Sequence, residues 1–147
     1  MINFGTKKET YRILYVEDSK FDFHFYRKVI SDSLTKTYNI EVVQAKSIQD
    51  IETLCEEGEF DIIITDLNLI ETNGVETFEH VKGICLDKTP IIVLTGSDDR
   101  EVRTKCIDAG AEDFFVKGVS DRNIVAKLLT FILEQEKMMK NLKHLKI

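Results

Sequence analysis

The sequence has few cysteines and no long hydrophobic run, and each of these absences excludes a class of protein. Its three cysteines, Cys55, Cys85 and Cys106, are far apart in the sequence, and none belongs to a C-x-x-C pair or to another metal-binding spacing. We therefore expect free thiols in a reducing compartment rather than a disulfide framework or a zinc site. No apolar run approaches the ~20 residues that a transmembrane helix needs, so we expect no membrane span.

The amino terminus and the overall charge narrow the choice further. The first ten residues, MINFGTKKET, lack the apolar stretch of a secretory signal, which favours a cytoplasmic protein. The net charge of −6 disfavours a general nucleic-acid-binding surface. The 147 residues are enough for one domain with a hydrophobic core.

Short apolar segments alternate with longer amphipathic segments along the chain. The strand-like segments, rich in β-branched and aromatic residues, cover residues 11–16, 40–45, 60–65, 90–95 and 112–116. The helix-like segments cover residues 20–34, 47–57, 75–86, 98–109 and about 120 to the end. This alternation predicts an α/β protein with a flavodoxin-like (βα)5 architecture, a doubly wound parallel sheet in the strand order 2-1-3-4-5.

The first predicted helix carries an aromatic cluster. Phe21, Phe25 and Val29 recur every four residues, which is the spacing of one helical face. We expect the aromatic side chains of this helix to cover the sheet, with Phe23 the member that can be exposed.

Polar residues follow four of the five predicted strands. Glu17, Asp18, Asp66 and Lys117 directly follow a strand, and Thr95 ends the fourth strand with Gly96 beside it. Because the carboxyl ends of parallel strands share one edge of the sheet, we expect these residues to meet in one pocket. Carboxylates brought together resist ionisation unless a cation lies among them, and oxygen ligands of this kind suit Mg²⁺.

The residue types in this pocket suit phosphoryl transfer. A carboxylate beside Mg²⁺ can attack a phosphoryl group and form an acyl phosphate, and Asp66 is the candidate. We expect Asp18 to ligate the ion directly, Glu17 to act directly or through water, and the Asn68 backbone carbonyl to add an oxygen. Lys117 offers a compact positive charge to the added oxygens.

Thr95 and Gly96 complete the predicted pocket. The Thr95 hydroxyl is a hydrogen-bond donor, and Gly96 is small enough to leave room beside Asp66. Each residue alone has a structural explanation, since Glu17 and Asp18 suit a helix N-cap and Asp66 suits a turn. Their joint placement at one edge favours the functional interpretation.

Four motifs carry a family resemblance. They are Val16-Glu17-Asp18-Ser19, Ile64-Thr65-Asp66-Leu67-Asn68-Leu69, Leu94-Thr95-Gly96 and Phe114-Phe115-Val116-Lys117. In this order they resemble the response-regulator receiver domains of two-component signalling, over about residues 10–133. The resemblance implies that Asp66 is the phosphoacceptor, that Thr95 and Lys117 contact the phosphoryl group, and that Thr95 and Phe114 form a switch. It also implies a Mg²⁺ site built from Glu17, Asp18, Asp66 and the Asn68 carbonyl.

The resemblance also implies partners and a mode of action. A sensor histidine kinase or a phosphotransfer protein would supply the phosphoryl group, and the domain would regulate an output domain or partner rather than act as an enzyme. A homodimer would form through the face of helix 4, strand 5 and helix 5 or through the last helix. Gly74 matches the turn glycine of the family.

The sequence departs from the family pattern at two positions. Ile70 stands where a proline often follows the acceptor, and Gly118 stands where a proline usually follows the lysine with a cis bond between them. A cis bond before a residue other than proline costs ~2.5–4 kcal/mol, so the isomer of the Lys117–Gly118 bond stays open.

Two other functions use the same residues. An aspartyl-phosphate phosphohydrolase would carry a motif similar to D-x-D-x-T after strand 1. Here Asp66-Leu67-Asn68-Leu69 follows strand 3 and lacks the second aspartate and the threonine. An interaction module of the same fold with an inactive site would not need the complete acidic set.

The last predicted helix contains a heptad seam that continues beyond the predicted end of the domain. Its members are Ile124, Leu128, Phe131, Gln135, Met138, Leu142 and Leu145. The spacing of four and three residues is typical of a coiled coil. We therefore predict a leader over residues 1–10, a receiver-like domain over 11–133 and a helical extension over 134–147 that acts as a coiled-coil linker or dimer contact, with a frayed tail as the alternative.

Overall fold

The computed structural model describes residues 9–85, 89–119 and 121–145, apart from the side chains of Lys143 and Leu145. The strands are β1 Tyr11–Val16, β2 Ile40–Ala45, β3 Ile62–Thr65, β4 Ile91–Thr95 and β5 Asp113–Val116. The helices are α1 Lys20–Leu34, α2 Ile48–Glu57, α3 Val75–Cys85, α4 Arg100–Asp108 and α5 Asp121–Leu145. Most of the predicted leader, the predicted helix end at Leu86, the predicted helix start at Ser120 and the last two residues lie outside the described residues.

The strands form one parallel sheet in the order β2-β1-β3-β4-β5, which confirms the predicted architecture. The register aligns the carboxyl ends of the strands. Val16 of β1 pairs with Thr65 of β3, and Thr95 of β4 pairs with Val116 of β5. The residues that follow these strands therefore reach the same edge of the sheet.

The sheet separates two hydrophobic clusters, one on each face. Residues of α2, α3 and α4 contact one face, and residues of α1 and α5 contact the other. All residues of β3 and β4 are buried, as are five of the six residues of β1. Strands covered on both faces need apolar residues at successive positions, which explains their near-continuous apolar sequence.

The buried face of α1 differs from the predicted one. Phe23, Tyr26, Ile30 and Leu34 are buried, whereas Phe21 and Phe25 are 77% and 46% exposed. The expectation that Phe21 and Phe25 cover the sheet was therefore wrong, and Phe23, named as the member that can be exposed, is buried. Two stripes of this helix have helical spacing, and the buried one is longer and packs Phe23 and Tyr26 against the Tyr15 ring, at centroid distances of 5.6 and 6.5 Å.

Helix α5 continues beyond the sheet. Ile124, Leu128 and Ile132 are buried on the sheet face, whereas Met138 and Leu142 are 56% and 38% exposed. Within the described residues, the second half of the predicted heptad seam is therefore exposed to solvent at Met138 and Leu142. The side chain of Leu145, the last seam position, lies outside the described residues. No helix in the described part of the chain has both the length and the hydropathy needed to cross a bilayer.

Candidate functional site

Four charged side chains form an acidic pocket at the carboxyl edge of the sheet: Glu17, Asp22, Asp66 and Lys117. The Lys117 Nζ atom donates to Glu17 Oε1 at 2.6 Å, to Asp66 Oδ2 at 2.7 Å and to Asp22 Oδ2 at 2.8 Å. The lysine side chain is only 14% exposed. Three carboxylates therefore share one cation: Glu17 directly after β1, Asp22 in α1 and Asp66 directly after β3. Of the residues expected to meet in one pocket, the structure brings Glu17, Asp66 and Lys117 into contact.

Backbone hydrogen bonds hold the acidic pocket in place. The Asp66 amide donates to the Val16 carbonyl at 2.9 Å, and the Lys117 amide donates to the Thr95 carbonyl at 2.8 Å, so the strand pairing continues into the site. The Asp66 Oδ1 atom accepts from the Leu67 amide at 2.6 Å and from the Asn68 amide at 3.2 Å. The orientation of the Asp66 carboxylate is therefore fixed by the chain that follows it.

Glu17 is the most deeply buried carboxylate of the pocket, with 1% of its surface exposed. Its Oε1 atom also accepts from the Tyr15 hydroxyl at 3.3 Å, and its Oε2 atom accepts from the Ser19 amide at 3.2 Å. Burial is the main cause that raises the pKa of Glu17 to about 7; the hydrogen bond from Lys117 acts against it, and the nearby Asp66 carboxylate adds to it. Glu17 therefore titrates close to neutral pH.

The surroundings that disfavour the charged form of Glu17 favour the charged form of Lys117. Burial alone lowers the pKa of its ammonium, but the hydrogen bonds to Asp22, Asp66 and Glu17 outweigh burial and raise the pKa above its ordinary value. One ammonium divided among three carboxylates is strongly stabilised, whereas each carboxylate receives only part of its charge. Lys117 is therefore charged at neutral pH, while Glu17 is near its midpoint.

Asp22 is the pocket residue that the sequence analysis missed. Ser19 caps α1 by accepting from the Asp22 amide at 3.2 Å, which places Asp22 in the first turn of the helix, above the strand ends. The available signal was the Ser19-x-x-Asp22 spacing directly after the Glu17-Asp18 pair, since an N-cap residue fixes the direction of the first turn.

Asp18 lies at the rim of the acidic pocket rather than within the lysine cluster. It is half-buried, and it makes no hydrogen bond or ion pair to the residues that the structure describes. In that part of the chain, no three acidic, histidine or cysteine side chains lie close enough together to hold a metal ion directly. The predicted role of Asp18 as a metal ligand stays a prediction.

The donor atoms of the pocket are nevertheless of the type that a hard cation prefers. Three carboxylate oxygens converge on the Lys117 ammonium at 2.6–2.8 Å, so the pocket already holds one positive charge with oxygen ligands. When all three carboxylates are ionised, they exceed that single positive charge. A divalent cation is of the type that carboxylate and carbonyl oxygens bind and would reduce this excess.

Thr95 has a buried hydroxyl without a partner. The residue is 1% exposed, and its Oγ1 atom has no hydrogen-bond partner among the described residues. Burying a hydroxyl without a partner is unfavourable, so such a group in a native structure indicates a bound species or a second conformation that satisfies it. Thr95 is the residue predicted to contact a phosphoryl group.

Replacing Thr95 with valine should raise the free energy of unfolding of the unphosphorylated protein by about 1 kcal/mol. The substitution keeps the side-chain shape and removes the unpartnered hydroxyl, and urea denaturation would measure it. The matched control is Thr77→Val, because Thr77 is also buried but its Oγ1 atom donates to the Leu67 carbonyl at 2.7 Å. The control should lose about 1–2 kcal/mol. Equal losses in both variants would mean that Thr95 has a partner in solution.

The loop after β5 adopts a geometry that needs no proline. The Lys117–Gly118 peptide bond is trans, and Gly118 has φ +80°, a conformation that favours glycine. The Gly118 amide donates to the Tyr26 hydroxyl at 2.9 Å and to Asp121 Oδ1 at 3.1 Å. The Tyr26 hydroxyl donates to the same Asp121 oxygen at 2.8 Å, so this network anchors the residue after Lys117 to both α1 and α5.

The remaining predicted residues lie around this edge. Gly96 is exposed, with open space where a side chain would project. Phe114 is 3% exposed, and the Arg103 guanidinium carbon lies 5.1 Å from its ring centroid. Gly74 has φ +65°, in agreement with a turn glycine, and Ile70 is 95% exposed.

A family model for the response regulator receiver domain matches residues 13–138 of this chain. The chain belongs to that family. The receiver domain is 30% identical over 119 residues to the two-component response regulator ORR1 of Oryza sativa subsp. japonica, in a match that covers 77% of this chain and 52% of that protein. It is 29% identical over 131 residues to the uncharacterized transcriptional regulatory protein YrkP of Bacillus subtilis, covering 86% of this chain and 53% of that protein.

The receiver fold is also present among solved structures. A CheY-like response regulator receiver domain protein from Methanospirillum hungatei JF-1 superimposes with a TM-score of 0.69 at 23% identity, covering 88% of this chain and 98% of that one. At this identity the likeness supports the fold alone. The receiver domain spans about half the length of the curated relatives it matches.

Proposed function

We propose that this receiver domain accepts a phosphoryl group on Asp66 and changes conformation in response. The observation that carries the proposal is the 2.7 Å contact between Asp66 Oδ2 and Lys117 Nζ at the carboxyl edge of the sheet. A nucleophilic carboxylate needs a fixed orientation and a nearby positive charge for the oxygens that it gains. Asp66 has both, because two backbone amides fix its other oxygen.

The phosphoryl donor in this proposal is a phosphohistidine of a sensor histidine kinase or phosphotransfer protein. A carboxylate oxygen of Asp66 attacks the phosphorus, an O–P bond forms, and the P–N bond to the histidine breaks with imidazole as the leaving group. Lys117 is charged before the donor arrives and stabilises the added negative charge. Asp66 is only 5% exposed, so the donor must enter a narrow opening, which favours a protein partner shaped to it.

Glu17, Asp18, Asp66 and the backbone carbonyl of Asn68 are the residues that we propose to hold Mg²⁺. The ion would neutralise part of the negative charge of the carboxylates and of the incoming phosphoryl group. Its binding favours the ionised form of Glu17, whose pKa is otherwise raised to about 7. Glu17 would then be ionised under neutral conditions.

The proposed switch starts at Thr95. Phosphorylation adds about −1.5 to −2 charges and strong acceptor oxygens at one position. The unpartnered Thr95 hydroxyl then gains an acceptor, and Lys117 gains a competitor for its bonds to Glu17 and Asp22. Phe114 lies on β5, the strand that pairs with Thr95, so we propose that the change reaches the face of α4, β5 and α5 through it.

The output of the switch is proposed to pass through α5 to an output domain or partner. The exposed seam residues Met138 and Leu142 favour a coiled-coil linker or a homodimer contact there, with the α4, β5 and α5 face as the other dimer surface. A cytoplasmic location fits a kinase-dependent regulator and is our expectation from the sequence.

Acetyl phosphate with Mg²⁺ provides the test of this function. Intact-mass spectrometry should show one labile phosphoryl group on the wild type and none on Asp66→Asn. The matched control is Asp98→Asn, an exposed acid on the same edge of the sheet, which should be labelled like the wild type. Equal labelling of Asp66→Asn would disprove the assignment. Rapid, Asp66-dependent release of phosphate from a small ester would instead support a phosphohydrolase.

A further inference from the structure

Two cysteines that are 30 residues apart in the sequence meet between α2 and α3. The Sγ atoms of Cys55 and Cys85 are 3.8 Å apart, and both side chains are half-buried. The sequence spacing gave no sign of this pair, because it depends on how the two helices pack. The third cysteine, Cys106, is fully buried in α4.

The cysteine pair borders a surface cleft with a volume of about 410 Å³. The cleft is also lined by Gly58, Phe60, Ile84 and Thr89, among others. Phe60 precedes β3 and Thr89 precedes β4, so the cleft lies at the amino edge of the sheet. The acidic pocket lies at the carboxyl edge, and a small oxidant can therefore reach the sulfurs without passing Asp66.

We propose that Cys55 and Cys85 are a redox modification site that forms a reversible disulfide when the protein meets hydrogen peroxide. The pair lies outside the phosphoryl-transfer site and uses none of its residues. A disulfide needs its sulfur atoms roughly 2.05 Å apart, so the two side chains must close the gap from 3.8 Å by rotation.

The oxidation proceeds in two balanced steps. Peroxide oxidises one of the two thiols to a sulfenic acid and releases one water. The sulfur of the other cysteine then attacks the sulfenic acid sulfur, the S–S bond forms, and the hydroxyl leaves as a second water with the proton of the attacking thiol. Two thiols are oxidised and one peroxide is reduced. A dithiol such as dithiothreitol reverses the reaction by exchange.

Burial and the adjacent Cys55 raise the pKa of Cys85 to about 12, so this sulfur is a protonated thiol at neutral pH. The linked product is the same whichever sulfur peroxide attacks first, so the proposal does not depend on the order of attack.

The disulfide would enclose the chain from Cys55 to Cys85, which includes β3 and Asp66. Closing this loop restricts the unfolded state, so the oxidised protein should be more stable than the reduced one. For a domain of this size the melting temperature should rise on the order of 10 °C.

The test treats the full chain with hydrogen peroxide and follows intact mass and peptide maps. The wild type should lose two hydrogen atoms, yield a Cys55–Cys85 linked peptide and gain thermal stability that dithiothreitol reverses. Cys106→Ser should behave like the wild type, whereas Cys55→Ser and Cys85→Ser should not form the link. The peptide map of the wild type keeps the result interpretable if a serine variant folds poorly.

Three results would overturn the proposal. They are oxygen addition to the thiols without loss of hydrogen, a disulfide-linked dimer in place of the internal link, and a link that involves Cys106. Loss of phosphoryl labelling in Asp66→Asn bears on the proposed function alone, because this oxidation does not need Asp66.

Discussion

Replacing Lys117 with methionine should lower the free energy of unfolding by roughly 3–5 kcal/mol at pH 8 without magnesium, because it removes the shared cation of buried carboxylates. Methionine keeps most of the side-chain length, so the change isolates the charge. Glu17 and Asp66 would remain buried without compensation, since their side chains are 1% and 7% exposed. Asp22, at 34% exposure, has more water around it and loses less.

Urea denaturation of the wild type and Lys117→Met would measure this loss. The loss should be smaller at pH 5, where Glu17 takes up a proton and fewer buried charges need the ammonium. Lys105→Met is the matched control, because the Lys105 Nζ atom lies 3.2 Å from Glu101 Oε1 in a pair that is largely exposed. The control should change stability by about 0.5 kcal/mol or less. A similarly small effect of Lys117→Met at pH 8 would show that the cluster does not stabilise the fold.

Stability should also fall as pH rises through the titration of Glu17. The pKa of this group is raised from 4.5 to about 7 on folding, so between these values the folded state holds a proton that the unfolded state has lost. The stabilisation is complete below pH 4.5 and is lost by the time the pH exceeds about 7. The shift corresponds to a loss of about 3 kcal/mol.

The difference in unfolding free energy between the wild type and Glu17→Gln isolates this titration. Glutamine is neutral at every pH, so the wild type should lose stability relative to the variant across this window and follow it above about pH 7. Glu52→Gln, at an exposed position of α2, should give a nearly constant difference from the wild type. A constant difference for Glu17→Gln as well would mean that Glu17 is ionised in both states. Measurements in a chelating buffer keep metal binding out of the comparison.

The strand order could be predicted because several independent rules agree on it. Apolar runs located each strand within two residues, and the alternation with helices required parallel pairing through right-handed crossovers. The acidic edge followed from the same geometry, since Glu17, Asp66 and Lys117 each directly follow a strand. Side chains at strand ends are placed by backbone register, which depends little on the details of packing.

Predictions failed where helix rotation or helix packing decides the outcome. The face of α1 was wrong because the Phe21 and Phe23 stripes both have helical spacing, and only contact with Tyr15 selects between them. Asp22 was missed for the same reason, since its approach to Lys117 depends on the direction in which α1 crosses the sheet. The Cys55–Cys85 contact joins two helices whose relative position no local pattern encodes.

The Lys117 ammonium acts as an internal competitor for every external cation. An ion that bound Glu17 or Asp66 would compete with a positive charge that the chain itself holds 2.6–2.7 Å from those carboxylates. Its apparent affinity would be the intrinsic affinity multiplied by the fraction of molecules in which the lysine has left those oxygens. If the proposed Mg²⁺ site is correct, the ammonium would set a threshold for metal occupancy, and a substitution at position 117 would shift that threshold without altering a metal ligand.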